Sequence, residues 1–296
     1  LAVQRKQVRL IETGLTHAGL EDSLAVFTSD DPLGDAAEQN ATANRIAGAL
    51  NLSDWAPSGT LYVVPSRSLY FLPWGALPID VPVVMLPNGG WITRSTGQAS
   101  LRSAAIIGSP DLGTAWDPLP GTTEEATQIA SGYGTKALLG QQATEAGLRK
   151  AIGNGVGVLH IATHGLFNAR DPLASSILLS NAGETDPLTA QELFENPLKA
   201  NLVILSACET GLGKVSAGDD FLGLSRSFYL GGASAVMNSL WPVYDKPTRR
   251  FMEVFHANAR NGRIGEAWVA ARNALRDDGF PPSVYGAFVL GGTDRI

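Results

Sequence analysis

Cys208 is the only cysteine among the 296 residues, and it closes the apolar run Leu202-Val203-Ile204-Leu205-Ser206-Ala207. A thiol attacks as its thiolate, and a free cysteine with a pKa of about 8.5 is only a few per cent ionised near neutral pH. Such a nucleophile needs a base. His164 stands at the end of a second apolar run, Val158-Leu159-His160-Ile161-Ala162-Thr163, and Gly165 follows it. An imidazole beside the sulfur can take its proton or hold the thiolate, then protonate the leaving group. Acid–base help of this kind contributes roughly 10²–10⁴-fold. Gly165 removes a side chain where a substrate carbonyl must approach backbone N–H groups. Its own N–H and that of Cys208 can form an oxyanion hole, each donor contributing about 3 kcal/mol.

The remaining histidines fit no metal pattern. His160 precedes His164 by four residues, and in a strand two such residues share a face about 13 Å apart. It therefore reads as a hydrogen-bonded core histidine. His17 and His256 have no partner pattern and read as surface residues. One cysteine without a carboxylate–histidine cluster argues against a structural zinc site. One cysteine also excludes an internal disulfide, so nothing calls for an oxidising compartment. Neither G-x-G-x-x-G nor a Walker lysine occurs, so no nucleotide cofactor is expected.

Both reactive side chains need a sheet to bring them together. Unbroken apolar runs mark strands buried on two faces, as in parallel sheets. Functional groups in such sheets collect past the carboxyl ends of the strands. If the two strands are neighbours, about 4.8 Å apart, their terminal loops can hold imidazole and thiol together. From residue 100 onward strands alternate with helices. Strands are expected over 104–107, 137–139, 157–163, 202–205, 234–240 and 285–290. Helices are expected over 122–131, 144–152, 217–230, 247–259 and 264–275. Thr122 or Thr123 would cap the first of these and Thr144 the second. The alternation predicts an α/β core with a mostly parallel sheet and right-handed crossovers. Before it, residues 1–55 read as helical in patches, chiefly 35–50. Residues 62–64 with 69–72, and 83–86 with 91–92, read as two β-hairpins. The expected division is an N-terminal helical and hairpin region over 1–98 and the core over 99–296.

Composition narrows the partners. With 44% hydrophobic and 17% charged residues the chain can bury a sizeable core. The formal net charge of −6 argues against nucleic acid or an anionic membrane surface as partner. No apolar run approaches the roughly 20 residues that span a bilayer. The sequence opens on Leu1 without a signal-like segment, so it reads as part of a longer, cytoplasmic protein whose flank carries further modules.

Three segments in order, H-I-A-T-H-G-L-F-N (160–168), L-S-A-C-E-T-G-L-G (205–213) and S-L-W-P-V-Y-D (239–245), resemble the CHAT domain. This family belongs to the clan of cysteine peptidases that includes caspases, separase, gingipains and legumain. The segments V-V-P-S-R-S-L-Y-F-L-P-W-G-A-L (63–77), L-P-G-T-T-E-E-A (119–126) and Y-G-A-F-V-L-G-G (285–292) extend the resemblance to about residues 60–295. It implies a caspase-like α/β fold and an endopeptidase that needs no cofactor or metal. In that reading His164 is the base, Cys208 the nucleophile, and Gly165 with Cys208 the oxyanion donors. Ser239, Leu240 and Trp241 would line the cleft and pair with an extended peptide. The substrate would be a protein cut at one or few places, with an activator or sensor module on the flank. Some members of this clan act this way in bacterial defence or cell-death pathways.

The sequence departs from the family at Ser216-Ala217-Gly218-Asp219-Asp220, where many members carry a glycine-glutamate-glycine segment. Asp245 resembles the acidic residues that floor the first specificity pocket in arginine- and lysine-directed members. A carboxylate there would pair with a basic side chain. Asp219 and Asp220 are rivals for that role, and Asp245 can equally cap the helix expected from Pro247. A non-catalytic module that keeps the fold and binds peptides is the alternative function. The presence of both His164 and Cys208 favours the peptidase.

Overall fold

In the computed structural model, which describes residues 2–4, 7–9, 13–28, 34–52, 59–93, 99–168, 170–206 and 220–296, the apolar runs build one twisted sheet. The chain starts with β1 (Ala2–Gln4) and β2 (Gln7–Arg9), paired antiparallel. Helices α1 (His17–Ala25) and α2 (Ala36–Ala49) follow. Thr16 accepts the Gly19 N–H and Asp35 accepts those of Ala37 and Glu38, satisfying donors that a helix N-terminus leaves open. Strands β3 (Leu61–Val63) and β4 (Val83–Met85) complete the N-terminal part.

The alternating part follows as β5 (Ala104–Pro110), α3 (Pro120–Gly132), β6 (Leu138–Gly140), α4 (Glu145–Ile152), β7 (Val156–Ala162) and β8 (Gly165–Leu166). An excursion of β9 (Ser176–Asn181), β10 (Glu184–Thr189) and α5 (Ala190–Glu195) leads to β11 (Ala200–Leu205). The chain then runs through α6 (Asp220–Leu230), β12 (Ala235–Ser239), α7 (Asp245–Ala259), α8 (Ile264–Asp277), α9 (Pro282–Tyr285) and β13 (Phe288–Gly291). The eight-stranded sheet has the order β3-β4-β13-β12-β11-β7-β5-β6, and its one antiparallel pairing is β12 with β13. It is the mostly parallel, helix-flanked α/β sheet that the alternation predicts.

Side-chain alternation divides the core between the two faces. Val158, Leu202, Ile204 and Met237 pack against Phe251 and Phe255 of α7 and Trp268 of α8. Leu159, Ile161, Val203 and Val236 pack on the other face with Leu148 of α4, Leu193 of α5 and Phe228 of α6. Helix α7 buries Phe251, Met252, Phe255, His256 and Ala259, the spacing of one helical face. No helix among the described residues is long and apolar enough to cross a membrane.

The two expected N-terminal hairpins do not form. Residues 67–71 and 89–93 are short 3₁₀ helices, and β3 pairs with β4 in parallel. Leu69 and Leu72 reach the core at a spacing of three, which suits a tight helix and not a strand. In the second segment, Asn88-Gly89-Gly90 supplies turn chemistry that outweighs the strand preference of Trp91-Ile92. Because β4 also pairs with β13, an expected boundary near residue 98 crosses a continuous sheet. The closing strand starts later than expected, since α9 ends on Tyr285 and β13 begins only at Phe288. The β9–β10 hairpin has no counterpart among the expected elements. Its two-residue turn, Ala182-Gly183, has φ of +54° and +87°, the left-handed pair of a type I′ turn.

Candidate active site

The strands that carry the two reactive side chains are direct neighbours. β7 and β11 pair in parallel with Leu205 opposite Ile161, and the Ser206 N–H donates to the Ile161 carbonyl at 2.8 Å. His164 lies three positions past Ile161, and Cys208 three positions past Leu205. Cys208, Asp219 and the rest of 207–219 lie outside the described residues, as does the side chain of Asp220.

His164 is buried, with its Nε2 2.8 Å from the Asp117 carbonyl oxygen. A carbonyl only accepts, so Nε2 carries the hydrogen, and in the neutral ring Nδ1 is the acceptor. Trp116 packs on the imidazole with ring centroids 5.3 Å apart. Both contacts come from the loop between β5 and α3. Thr185 of β10 ties that loop down by donating to the Leu112 carbonyl at 3.0 Å, and the Gln141 amide donates to Asp111 at 3.2 Å. A cavity of about 150 Å³ opens between this loop and His164, with Asp111, Trp116 and Asp117 in its wall.

Gly165 continues into β8, opposite Ile177 of β9. The Leu178 N–H donates to the His164 carbonyl at 2.9 Å, which makes 164/178 a hydrogen-bonded pair. Antiparallel ladders alternate, so Gly165 occupies the non-bonded position and turns its N–H away from β9.

Ser239, Leu240 and Trp241 do not form an open edge throughout. β12 is flanked by β11 and β13, with Asn238 opposite Leu205 and Ser239 opposite Phe288. The Leu240 N–H donates to the Ala287 carbonyl at 2.9 Å. The Trp241 indole donates to the Ser283 carbonyl at 2.8 Å and packs half-buried against the core.

Asp245 is the first residue of α7 and does not cap its own helix; the N-cap position is Tyr244, without a side-chain bond. The Asp245 carboxylate instead accepts the Gly121 N–H at 3.1 Å, in the first turn of α3. A Cβ at position 121 would collide with that carboxylate. The expected Thr122 or Thr123 cap is therefore replaced from a distance. Pro120 at the first helical position starts α3 earlier than expected, and Thr122 Oγ1 turns back to donate to the Leu119 carbonyl at 2.7 Å. Glu124 and Arg249 add an ion pair between the same helices.

Behind the site runs a buried polar chain. His160 is fully buried with Nε2 2.9 Å from Glu125, as the core reading expects. Its Nδ1 is 3.2 Å from Nε2 of His256, whose Nδ1 is 3.1 Å from the Tyr133 hydroxyl. His256 is thus a core residue and not a surface one, a correction that the spacing of Met252, Phe255 and Ala259 could have signalled. With both rings neutral and Glu125 accepting as a carboxylate, only one direction satisfies every atom. Tyr133 donates to His256, His256 to His160, and His160 to the Glu125 carboxylate. Burial, aided by His160 and Arg260, holds the His256 imidazole well below its usual range, and burial pushes the Tyr133 phenol up to about 12. His17, by contrast, is exposed, with Glu21 at 3.4 Å and Ser68 at 2.9 Å. No three His, Cys, Asp or Glu side chains among the described residues stand where they could share a metal ion.

Comparison with known proteins identifies the family and the fold. A family model described as the CHAT domain matches residues 35–292. The chain is similar to Tetratricopeptide repeat protein 28 of Mus musculus, 27% identical over 303 residues that cover 79% of this chain and 12% of that protein. The protein of the same name in Homo sapiens is 26% identical over 249 residues, 67% of this chain and 10% of that protein. The chain thus spans only about a tenth of these relatives. Among solved structures it resembles a chain of the Saccharomyces cerevisiae separase–securin complex, with a TM-score of 0.51 and 18% identity over 78% of this chain and 15% of that one. The Arg-specific cysteine proteinase gingipain R matches with a TM-score of 0.42 and 13% identity over 66% of this chain and 47% of that one. The likeness to separase is one of fold.

Proposed function

The chain belongs to the CHAT domain family, and we propose that it is a cysteine endopeptidase in which His164 activates Cys208. One observation carries this reading. His164 is held at the end of β7 in a single tautomer by the Asp117 carbonyl, beside the strand that leads to Cys208. With Nε2–H fixed, Nδ1 is the atom that takes the thiol proton. The thiolate attacks the substrate carbonyl carbon, and the C=O electron pair moves onto oxygen. That oxyanion accepts from the N–H groups of Gly165 and Cys208. The imidazolium keeps Nε2–H on Asp117 and gives its Nδ1 proton to the leaving amine as the C–N bond breaks, leaving a thioester. A water then gives a proton to Nδ1 and attacks the thioester carbon. Collapse of this second oxyanion expels the thiolate, which regains the proton, and frees the carboxyl product.

The substrate is a protein partner cut at one or few bonds. A peptide adds beyond Asn238 on the side away from Ala287, along Ser239, Leu240 and Trp241. A basic side chain at the cut bond pairs with Asp245, whose exposed carboxylate lies over the first turn of α3, just past the loop that holds His164. The much greater length of the tetratricopeptide repeat relatives supports a sensor or activator module beside this domain.

The test compares wild type with Cys208→Ala on peptides ending in Arg, Lys, Asp or Leu at the cleaved bond. Turnover lost in the variant, with preference for Arg and Lys in the wild type, is expected. Equal turnover in both proteins overturns the dyad. A preference for Arg and Lys that survives Asp245→Lys removes Asp245 from the pocket.

A further inference from the structure

The sheet runs in two directions, and this creates a second rim. β5, β7, β11 and β12 point toward the His164 end, whereas β13, β4 and β3 point the opposite way. The residues that follow β4 therefore lie at the end of the sheet remote from His164. Helix α6 crosses from one end to the other, so its last turns meet them there. Between them Met85, Leu86, Trp91 and Tyr229 wall a cavity of about 330 Å³. That volume falls within the roughly 300–1,000 Å³ of small-molecule sites. Trp91 and Tyr229 meet edge to face at 5.0 Å, giving it a rigid aromatic side.

Polar groups also line this apolar chamber. Ser225 lines it and is only 3% exposed. Arg226, next on α6, lines it too and makes no ion pair with any described residue. Asn88 lines the same space. A serine hydroxyl can donate a hydrogen bond to an anionic oxygen. A guanidinium beside it offers a fork that fits a carboxylate with two parallel bonds.

We propose that this cavity binds a small aromatic carboxylate, its ring lying between Trp91, Tyr229 and Leu86 and its anionic head on Arg226 and Ser225. The site is separate from the dyad, so its occupant does not compete with a peptide at His164. Calorimetric titration of the chain with 4-biphenylcarboxylate and its neutral analogue 4-biphenylmethanol tests this. One saturable site is expected, with the carboxylate bound about tenfold more tightly than the alcohol. Arg226→Gln, at an exposed position that leaves the fold intact, should lower the carboxylate to the level of the alcohol and leave the alcohol unchanged. His164→Ala should bind both as wild type does, whatever the fate of the peptidase reading. Absence of saturable binding overturns the proposal. So does equal affinity for the two probes, an unaltered carboxylate affinity in Arg226→Gln, or loss of binding in His164→Ala.

Discussion

The contact between Asp245 and Gly121 joins two helices through one hydrogen bond and one missing Cβ, so its energetics can be worked from both ends. Removing the carboxylate with Asp245→Ala leaves the Gly121 N–H of α3 without its acceptor, a loss of about 1 kcal/mol for a helix N-terminus. Gly121→Ala acts in two opposed ways. An alanine in a helical turn gains about 0.5–1 kcal/mol over glycine. Its Cβ, however, displaces the Asp245 carboxylate and forfeits the same hydrogen bond. In the wild-type background the two nearly cancel, so the single Gly121→Ala variant should be close to neutral. In the Asp245→Ala background nothing is left to displace. There Gly121→Ala should recover about 0.5–1 kcal/mol. Urea unfolding of the four proteins measures this as a coupling of about 1 kcal/mol between the sites. If Gly121→Ala has the same effect in both backgrounds, to within about 0.3 kcal/mol, the capping argument fails.

His256 is held neutral in the fold while its unfolded counterpart titrates near 6.5. The unfolded chain therefore binds more protons just below that pH, and stability present above 6.5 should fall by up to about 1.4 kcal/mol per pH unit between 6.5 and 5. His256→Gln should remove that slope in urea titrations, and an unchanged slope would assign it to other groups. In the β9–β10 turn, Ala182 sits at φ +54°, a region that costs an alanine about 1 kcal/mol. Ala182→Asn creates the Asn-Gly pair of a type I′ turn and should stabilise by about 0.5–1 kcal/mol in thermal unfolding. Equal or lower stability would count against that turn.

The sheet was legible where strands are buried on both faces, because β5, β7, β11 and β12 are mostly apolar. The helices with their own caps were legible too, as at Asp35 and Thr144. Leu69-Tyr70-Phe71-Leu72 misled because its residue types favour strands, while its contacts follow a period of three. β10 leaves no strand signal in the sequence, because Glu184-Thr185-Asp186-Pro187 is polar on a small three-stranded sheet, where little burial marks the pattern. At the candidate site, His164 announced itself by position at a strand end. Its orienting partner could not, since the Asp117 carbonyl is a backbone atom that any residue would supply. The same holds for Asp245, whose acceptor role depends on a helix N-terminus more than a hundred residues away in the chain.

The strand ends of β7 and β11 are adjacent through their ladder, although β8, β9, β10 and α5 lie between them in sequence. Their spacing is therefore independent of how long the intervening excursion is. For a flexible segment, closure entropy rises only as the logarithm of length, about 0.6 kcal/mol for each doubling. Insertions at the Ala182-Gly183 tip thus meet a shallow penalty and leave the register of Ile161 with Leu205 untouched. The turn at the tip of β9 and β10 can therefore change in length while the body of the hairpin keeps His164 and its loop in place.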